Sequence, residues 1–329
     1  MLAVSSGPAL IDQHFMGRRD AIFVLLTNQV GLGVLSLPGV LKTLGLVPGT
    51  VAIIGLGCLS WYTAFELKLF YDRHPHVLNI VDMARIVGGR GFACVAAFGM
   101  ILLVVMTAAS ASICYAFSGN VSSVSYMAEM TNPQRDFGAA LAWLEASSIG
   151  FYVFIAVSIY SLAGEYTTSP ALESAPRMLA QVAYGLVIPS VLSKGLAFGH
   201  TGIKLAYVEV MRHCRIVHEM LINTARSWLI WMSIATAFWT LSFVLSIAIP
   251  VFDSIVAMTS AVTIAWFSFG ISAIFSLHMN VKFSSWQNAS LTLFNSLLVI
   301  GSLFLNGAGL WSSTTELGGA LASRGNTVG

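Results

Sequence analysis

The chain has 329 residues, of which 57% are hydrophobic and only 9% charged, with a formal charge of +2 and a mean hydropathy of +0.81. Soluble domains carry roughly a quarter charged residues, so a water-facing surface cannot be built from this composition. That excludes a sizeable soluble domain. The small net charge says little about partners, and no nucleic-acid partner is expected.

Residues 1–17 lack the basic region, apolar run and cleavage site of a signal peptide and read as a short cytoplasmic tail. Residues 18–312 form the transmembrane domain, and 313–329 a small, polar, frayed C-terminal tail. Within the domain, apolar segments occupy about 20–41, 46–70, 91–118, 138–163, 180–210, 228–250, 252–279 and 288–312. Each is long enough to cross hydrocarbon as a helix. The fold class is therefore all-α, a polytopic membrane helix bundle. Between segments, 77–87 reads as a short interfacial helix. Asn132 before Pro133 reads as an N-cap followed by proline at the first helical position.

Arg18 and Arg19 place the N-terminus in the cytoplasm. If 91–130 crosses once, basic residues divide almost evenly between the two sides. If it crosses an even number of times, Arg18, Arg19, Lys68, Arg73, Arg85, Arg90, Arg135, Lys204, Arg212, Arg215, Arg226 and Lys282 all share the cytoplasmic side. The second arrangement obeys the positive-inside bias. Yet two crossings need about 17 or more residues each, leaving almost no turn in 40 residues. A segment looks to be missing here.

The first span contains Thr27-Asn28-Gln29-Val30-Gly31-Leu32-Gly33-Val34-Leu35-Ser36-Leu37-Pro38. Two glycines and a proline make poor continuous helix, and unwound backbone in a membrane must be buried in protein or line a cavity. Val30, Gly31, Leu32, Gly33 and Val34 are therefore candidate ligands for a small zwitterion. Free N–H groups at one half-helix suit a carboxylate, and free carbonyls at the other suit a cation. The alternative is glycine-mediated helix packing. A second candidate interruption is Tyr115, Ala116, Phe117, Ser118 and Gly119, before Asn120, with a plain loop as the alternative.

Lys194, with Ser193 beside it, lies far from either end of its segment. An ionisable group there suggests ion coupling; snorkelling to an interface is the competing reading. Gly195-xxx-Gly199 reads as a close helix contact and His200 as a hydrogen-bonded packing residue. Glu145 reads as a polar residue near the cytoplasmic end of its span, and Asp253 as a helix cap. The four cysteines show no metal or disulfide spacing. The glycosylation-like Asn120-Val121-Ser122 and Asn288-Ala289-Ser290 fall in a helix break and on the cytoplasmic side, and are discounted. No cofactor, metal or enzyme motif is present, so an enzyme is not expected.

Gly33-Val34-Leu35-Ser36-Leu37-Pro38 and Gly45-Leu46-Val47-Pro48-Gly49 resemble the amino acid/auxin permease family, most closely its fungal neutral amino acid branch. The resemblance continues through Tyr115–Asn120, Met127-Ala128-Glu129-Met130, Asn132-Pro133, Asp136-Phe137 and Ala140-Leu141, and then through Ser169-Pro170-Ala171-Leu172, Tyr184-Gly185, Pro189, Gly199-His200 and Pro250-Val251-Phe252. It implies a leucine-transporter-like inverted-repeat fold of eleven spans with a cytoplasmic N-terminus. Val30–Val34 would line one half of an amino acid site and Tyr115–Gly119 the other. Ser193 and Lys194 would belong to the coupling-ion region, with a proton as coupling ion and a plasma or vacuolar membrane as location. Against that pattern, span three runs into span six near 106–110, so spans four and five are absent. The alternatives are a transport-defective relative or a nutrient-sensing membrane receptor.

Overall fold

The computed structural model describes residues 16–29, 34, 37–109, 120–167, 171, 176–217, 219, 224–248, 263, 265–280 and 286–325. These form α1 (Arg18–Gln29), α2 (Leu37–Leu44), α3 (Leu46–Arg73), α4 (Ile80–Ala109), α5 (Asn120–Met127) and α6 (Pro133–Ala163). They continue as α7 (Arg177–His213), α8 (Ala225–Ala248), α9 (Ile271–Asn280, entered through a π-turn at Trp266–Gly270) and α10 (Trp286–Gly325). Among the described residues the only strand-like contact is one parallel bridge between Met16 and Met130.

Five described helices, from α3, α4, α6, α8 and α10, are long and apolar enough to cross a membrane. Their outward faces are apolar: Phe98, Phe154, Leu162 and Trp311 are all exposed. Such faces suit hydrocarbon rather than water. The chain is a polytopic helical membrane protein.

Glycines shape the path between helices. At Gly89 φ is +67°, a left-handed value that favours glycine. It separates the first two turns of α4 from its apolar run, as expected for a short helix preceding a span. Gly45 (φ +89°) turns α2 into α3, and a Cβ on Gly49 would lie 2.6 Å from Leu41 Cδ2 and 3.1 Å from its Cα. The chain is therefore tightly folded at the α2–α3 corner.

Three expectations need revision. Segment 180–210 is not a straight span: Arg177–Gly185 and Ile188–His213 are bent by 41°. Pro189 lies just beyond the bend, where its ring and missing N–H disrupt the preceding turn. The C-terminal tail does not fray at Ser312, because α10 continues to Gly325. Pro133 does open α6, but the Asn132 side chain makes no capping hydrogen bond.

The helix ends bear on the crossing problem. Met16 N donates to the Glu129 carbonyl and Thr131 N to the Met16 carbonyl, both at 3.1 Å. The start of α1 and the start of α6 therefore share one end of the bundle. Arg212 at the end of α7 pairs with Asp82 in the first turn of α4 (Nη2–Oδ2 3.0 Å), and Arg85 reaches Glu209 at 3.1 Å. Arg73 at the end of α3 donates to the Met279 carbonyl at 3.1 Å, and Lys204 pairs with Glu129. Arg73, Arg85, Lys204 and Arg212 thus gather where even crossing requires them. The chain leaves this end through α4 and is back at it by Met130. Residues 110–119 lie outside the described set.

Candidate substrate site

The helices α1 and α2 are each too short to cross a membrane alone. α1 has 12 residues and α2 has 8, about 18 and 12 Å of helix at 1.5 Å per residue. Of the residues joining them, 30–33, 35 and 36 lie outside the described set. The candidate ligands Val30, Gly31, Leu32 and Gly33 are among these, as are Tyr115, Ala116, Phe117, Ser118 and Gly119.

What surrounds the gap is described. Asn28 and Gln29, the last residues of α1, are wholly buried, so this end of the helix faces protein and not lipid. Its last carbonyls lack intrahelical partners in an ordinary helix end. Tyr152 of α6 supplies one, its Oη donating to the Gln29 carbonyl at 2.9 Å. On the other side of the gap, Val34, Leu37 and Leu41 belong to the same buried cluster as Tyr152, Ala156 and Ile53. One side of α6 thus supports both the helix before the interruption and the helix after it.

A carboxylate lies beside this junction. Glu145 is wholly buried on α6, about 18 Å along the helix from Pro133 at 1.5 Å per residue. Sequence reading places it near the end of its span; the structure puts it mid-helix. Gln29 Nε2 donates to Glu145 Oε2 at 3.1 Å, and Ser60 Oγ of α3 donates to Oε1 at 2.9 Å. Its partners lie 116 and 85 residues away in sequence, so no local spacing could have revealed the cluster. The only local signal is an acidic residue inside an apolar run.

Lys194 and Ser193 sit on α7, which packs against α1 and α4. Lys194 is 7% exposed, with Nζ 6.0 Å from the Phe198 ring centroid; that burial disfavours snorkelling. Gly199 makes the close helix contact, since a Cβ there would meet Trp239 at 2.6 Å, whereas Gly195 has open space. His200 is not enclosed. It lies 3.8 Å from Glu129 and near the Trp231 ring. Asp253 lies outside the described residues.

A bundle of spans with a short-helix pair and a buried carboxylate at its junction defines a multispan membrane protein with a polar interior site. The chain is similar to amino acid transporters: residues 16–113 match the family model described as "Transmembrane amino acid transporter protein". It is 22% identical to the N amino acid transport system protein of Neurospora crassa, with 92% of this chain and 85% of that protein covered. It is 21% identical to a transmembrane transporter of Fusarium pseudograminearum, over 89% of this chain and 82% of the other. No solved structure matches.

The Neurospora alignment spans 405 positions, and 92% of 329 residues is about 303, so about 100 positions of that relative face no residue here. That is room for two spans of about 20 residues and their connections.

Proposed function

We propose that this protein is a secondary active carrier of neutral amino acids, driven by protons and working by alternating access around the α1–α2 interruption. In this reading Val30, Gly31, Leu32, Gly33 and Val34 meet one end of the substrate. Tyr115, Ala116, Phe117, Ser118 and Gly119 meet the other, and Ser193 and Lys194 belong to the ion-coupling region. A plasma or vacuolar membrane suits it. The observation that carries the proposal is the burial of Asn28 and Gln29, with Tyr152 and Glu145 gathered where α1 stops. Polar groups deep in a bundle are costly unless they serve a pathway or a site, and the Neurospora relative is named for amino acid transport.

Uptake of labelled neutral amino acids into proteoliposomes, with and without an inward proton gradient, tests it. Accumulation that follows the gradient is expected. Well-folded, reconstituted protein that moves no amino acid would overturn the carrier reading.

A second reading has its own support in the roughly 100 unmatched positions. A bundle short of two spans would retain the scaffold yet lack a wall of the transport path, as a receptor or an inactive relative would. The same assay with direct substrate binding separates them: binding without uptake favours the receptor.

A further inference from the structure

Glu145 has no acidic or basic partner among the described residues. Its two hydrogen bonds come from neutral donors, Gln29 Nε2 and Ser60 Oγ. The charged side chains of the helices packed against α6 are engaged elsewhere or exposed. Arg18, Arg19 and Asp20 of α1 lie exposed at its start. Lys42 of α2 donates to the Thr167 carbonyl at 3.0 Å. On α3, Glu66 lies beside Tyr62, Lys68 pairs with Asp72, and Arg73 reaches Met279. Beyond the end of α6, Glu165 is exposed. On α6 itself, Arg135 is exposed and Asp136 half-buried near its start, more than two helical turns from Glu145, and Tyr152 donates to the Gln29 carbonyl.

A carboxylate enclosed in membrane protein without a cation is best accommodated by exchanging its charge for a proton. The neighbouring amide can register that exchange. Ionised, Glu145 accepts from Gln29 Nε2, and Gln29 Oε1 is then buried without a hydrogen-bond partner among the described residues. Protonated, Glu145 becomes a donor. A half-turn of the Gln29 amide would present Oε1 as acceptor and keep the bond while reversing its direction. Gln29 is also the last described residue of α1, so the reversal is made at that end of the helix.

From this geometry we infer that Glu145 is the group that carries the coupling proton, and that Gln29 transmits its protonation state to the end of α1. The inference rests on the carrier reading and adds the proton's place in it. One proton from the side of entry binds Glu145 Oε2 and leaves to the opposite side after the helix end has moved; no other bond is made or broken. Both Glu145 oxygens are already approached by N–H or O–H donors, which is not the oxygen-ligand surrounding a hard metal ion needs.

The test uses the full chain in proteoliposomes, recording amino acid accumulation and proton influx with an internal pH dye, beside an infrared pH titration of the protonated-carboxyl band. For Glu145→Gln, the ratio of gradient-driven accumulation to amino acid exchange is expected to fall about ten-fold, with loss of the accompanying proton influx and one carboxyl band. Glu145→Asp, which keeps a titratable group, should retain proton influx. Proton influx undiminished in Glu145→Gln overturns the assignment while leaving the carrier reading intact. If the wild type moves no amino acid, the carrier reading fails. The infrared band then still decides whether Glu145 exchanges a proton, and its absence overturns the inference. A Glu145→Gln variant that does not fold shifts the decision to Glu145→Asp and that band.

Discussion

Tyr152 and Gln29 are 123 residues apart in sequence and joined by a 2.9 Å hydrogen bond from the phenol to the last carbonyl of α1. The bond ties the end of a helix too short to span a bilayer to the middle of one that does. A carbonyl inside a membrane has no water to satisfy it, and this phenol supplies a donor.

Removing the hydroxyl alone is the cleanest probe of that role. Tyr152→Phe keeps the ring in its apolar cluster but leaves a buried carbonyl without its donor, a cost of about 1–3 kcal/mol. Thermal unfolding in detergent should show the loss, and uptake should weaken. An unchanged melting temperature and full uptake would mean another group caps the carbonyl.

Gly31→Leu asks whether the interruption is functional. A leucine favours continuous helix where glycine does not, so the variant is expected to insert in the membrane and fold, yet move no amino acid. Normal uptake would remove Gly31 from the site.

Two other glycines should behave differently because their neighbours are known. A methyl on Gly49 meets Leu41, including its backbone; Gly49→Ala should lower stability by about 1–3 kcal/mol, as overpacking does. Gly55, whose added Cβ would meet nothing within 4 Å, is the control: inside α3, Gly55→Ala should hold or raise the unfolding transition.

Glu129 gives a pH signature outside the spans. Burial raises its carboxyl pKa, but hydrogen bonding and attraction from His200 and Lys204 prevail and hold it at about 2 against an ordinary 4.5. Because the folded state binds the proton less readily than the unfolded one, this carboxylate contributes stability above about pH 4.5. That contribution fades as the pH falls towards 2. Glu129→Gln should therefore be less stable than the wild type at neutral pH, with the difference shrinking between pH 4.5 and 2. A constant gap across that range would show that the ion pair is not its source.

Lys194→Ala separates coupling from structure on α7. A shifted pH profile of uptake is expected if the ammonium takes part in ion coupling; loss of stability with an unchanged profile would make it a packing residue.

Much of the architecture could be read from the chain because membrane rules act locally. The lysine and arginine distribution required the ends of α3 and α7 and the starts of α4 and α6 to lie together, and ion pairs now join Asp82 to Arg212 and Glu129 to Lys204. The apolar run opening at 91 marked a span, and the glycines and proline after Gln29 marked the region between α1 and α2. Glu145 escaped because its meaning depends on partners from two other helices, and an isolated acidic residue in an apolar run carries no address. The 41° bend of α7 was likewise hidden, since Pro189 alone does not say whether a membrane helix bends or is held straight by its neighbours.

The clasp of Met16 with Glu129 and Thr131 has a mechanical consequence. It fixes the outer end of α1 to the corner entering α6, while Glu129 also grips Lys204 on α7. A tilt of α1 about that corner would sweep most widely at the opposite tip, where Gln29 would have to release the Tyr152 hydroxyl. A helix hinged in this way is a lever whose moving end is the residue that touches Glu145.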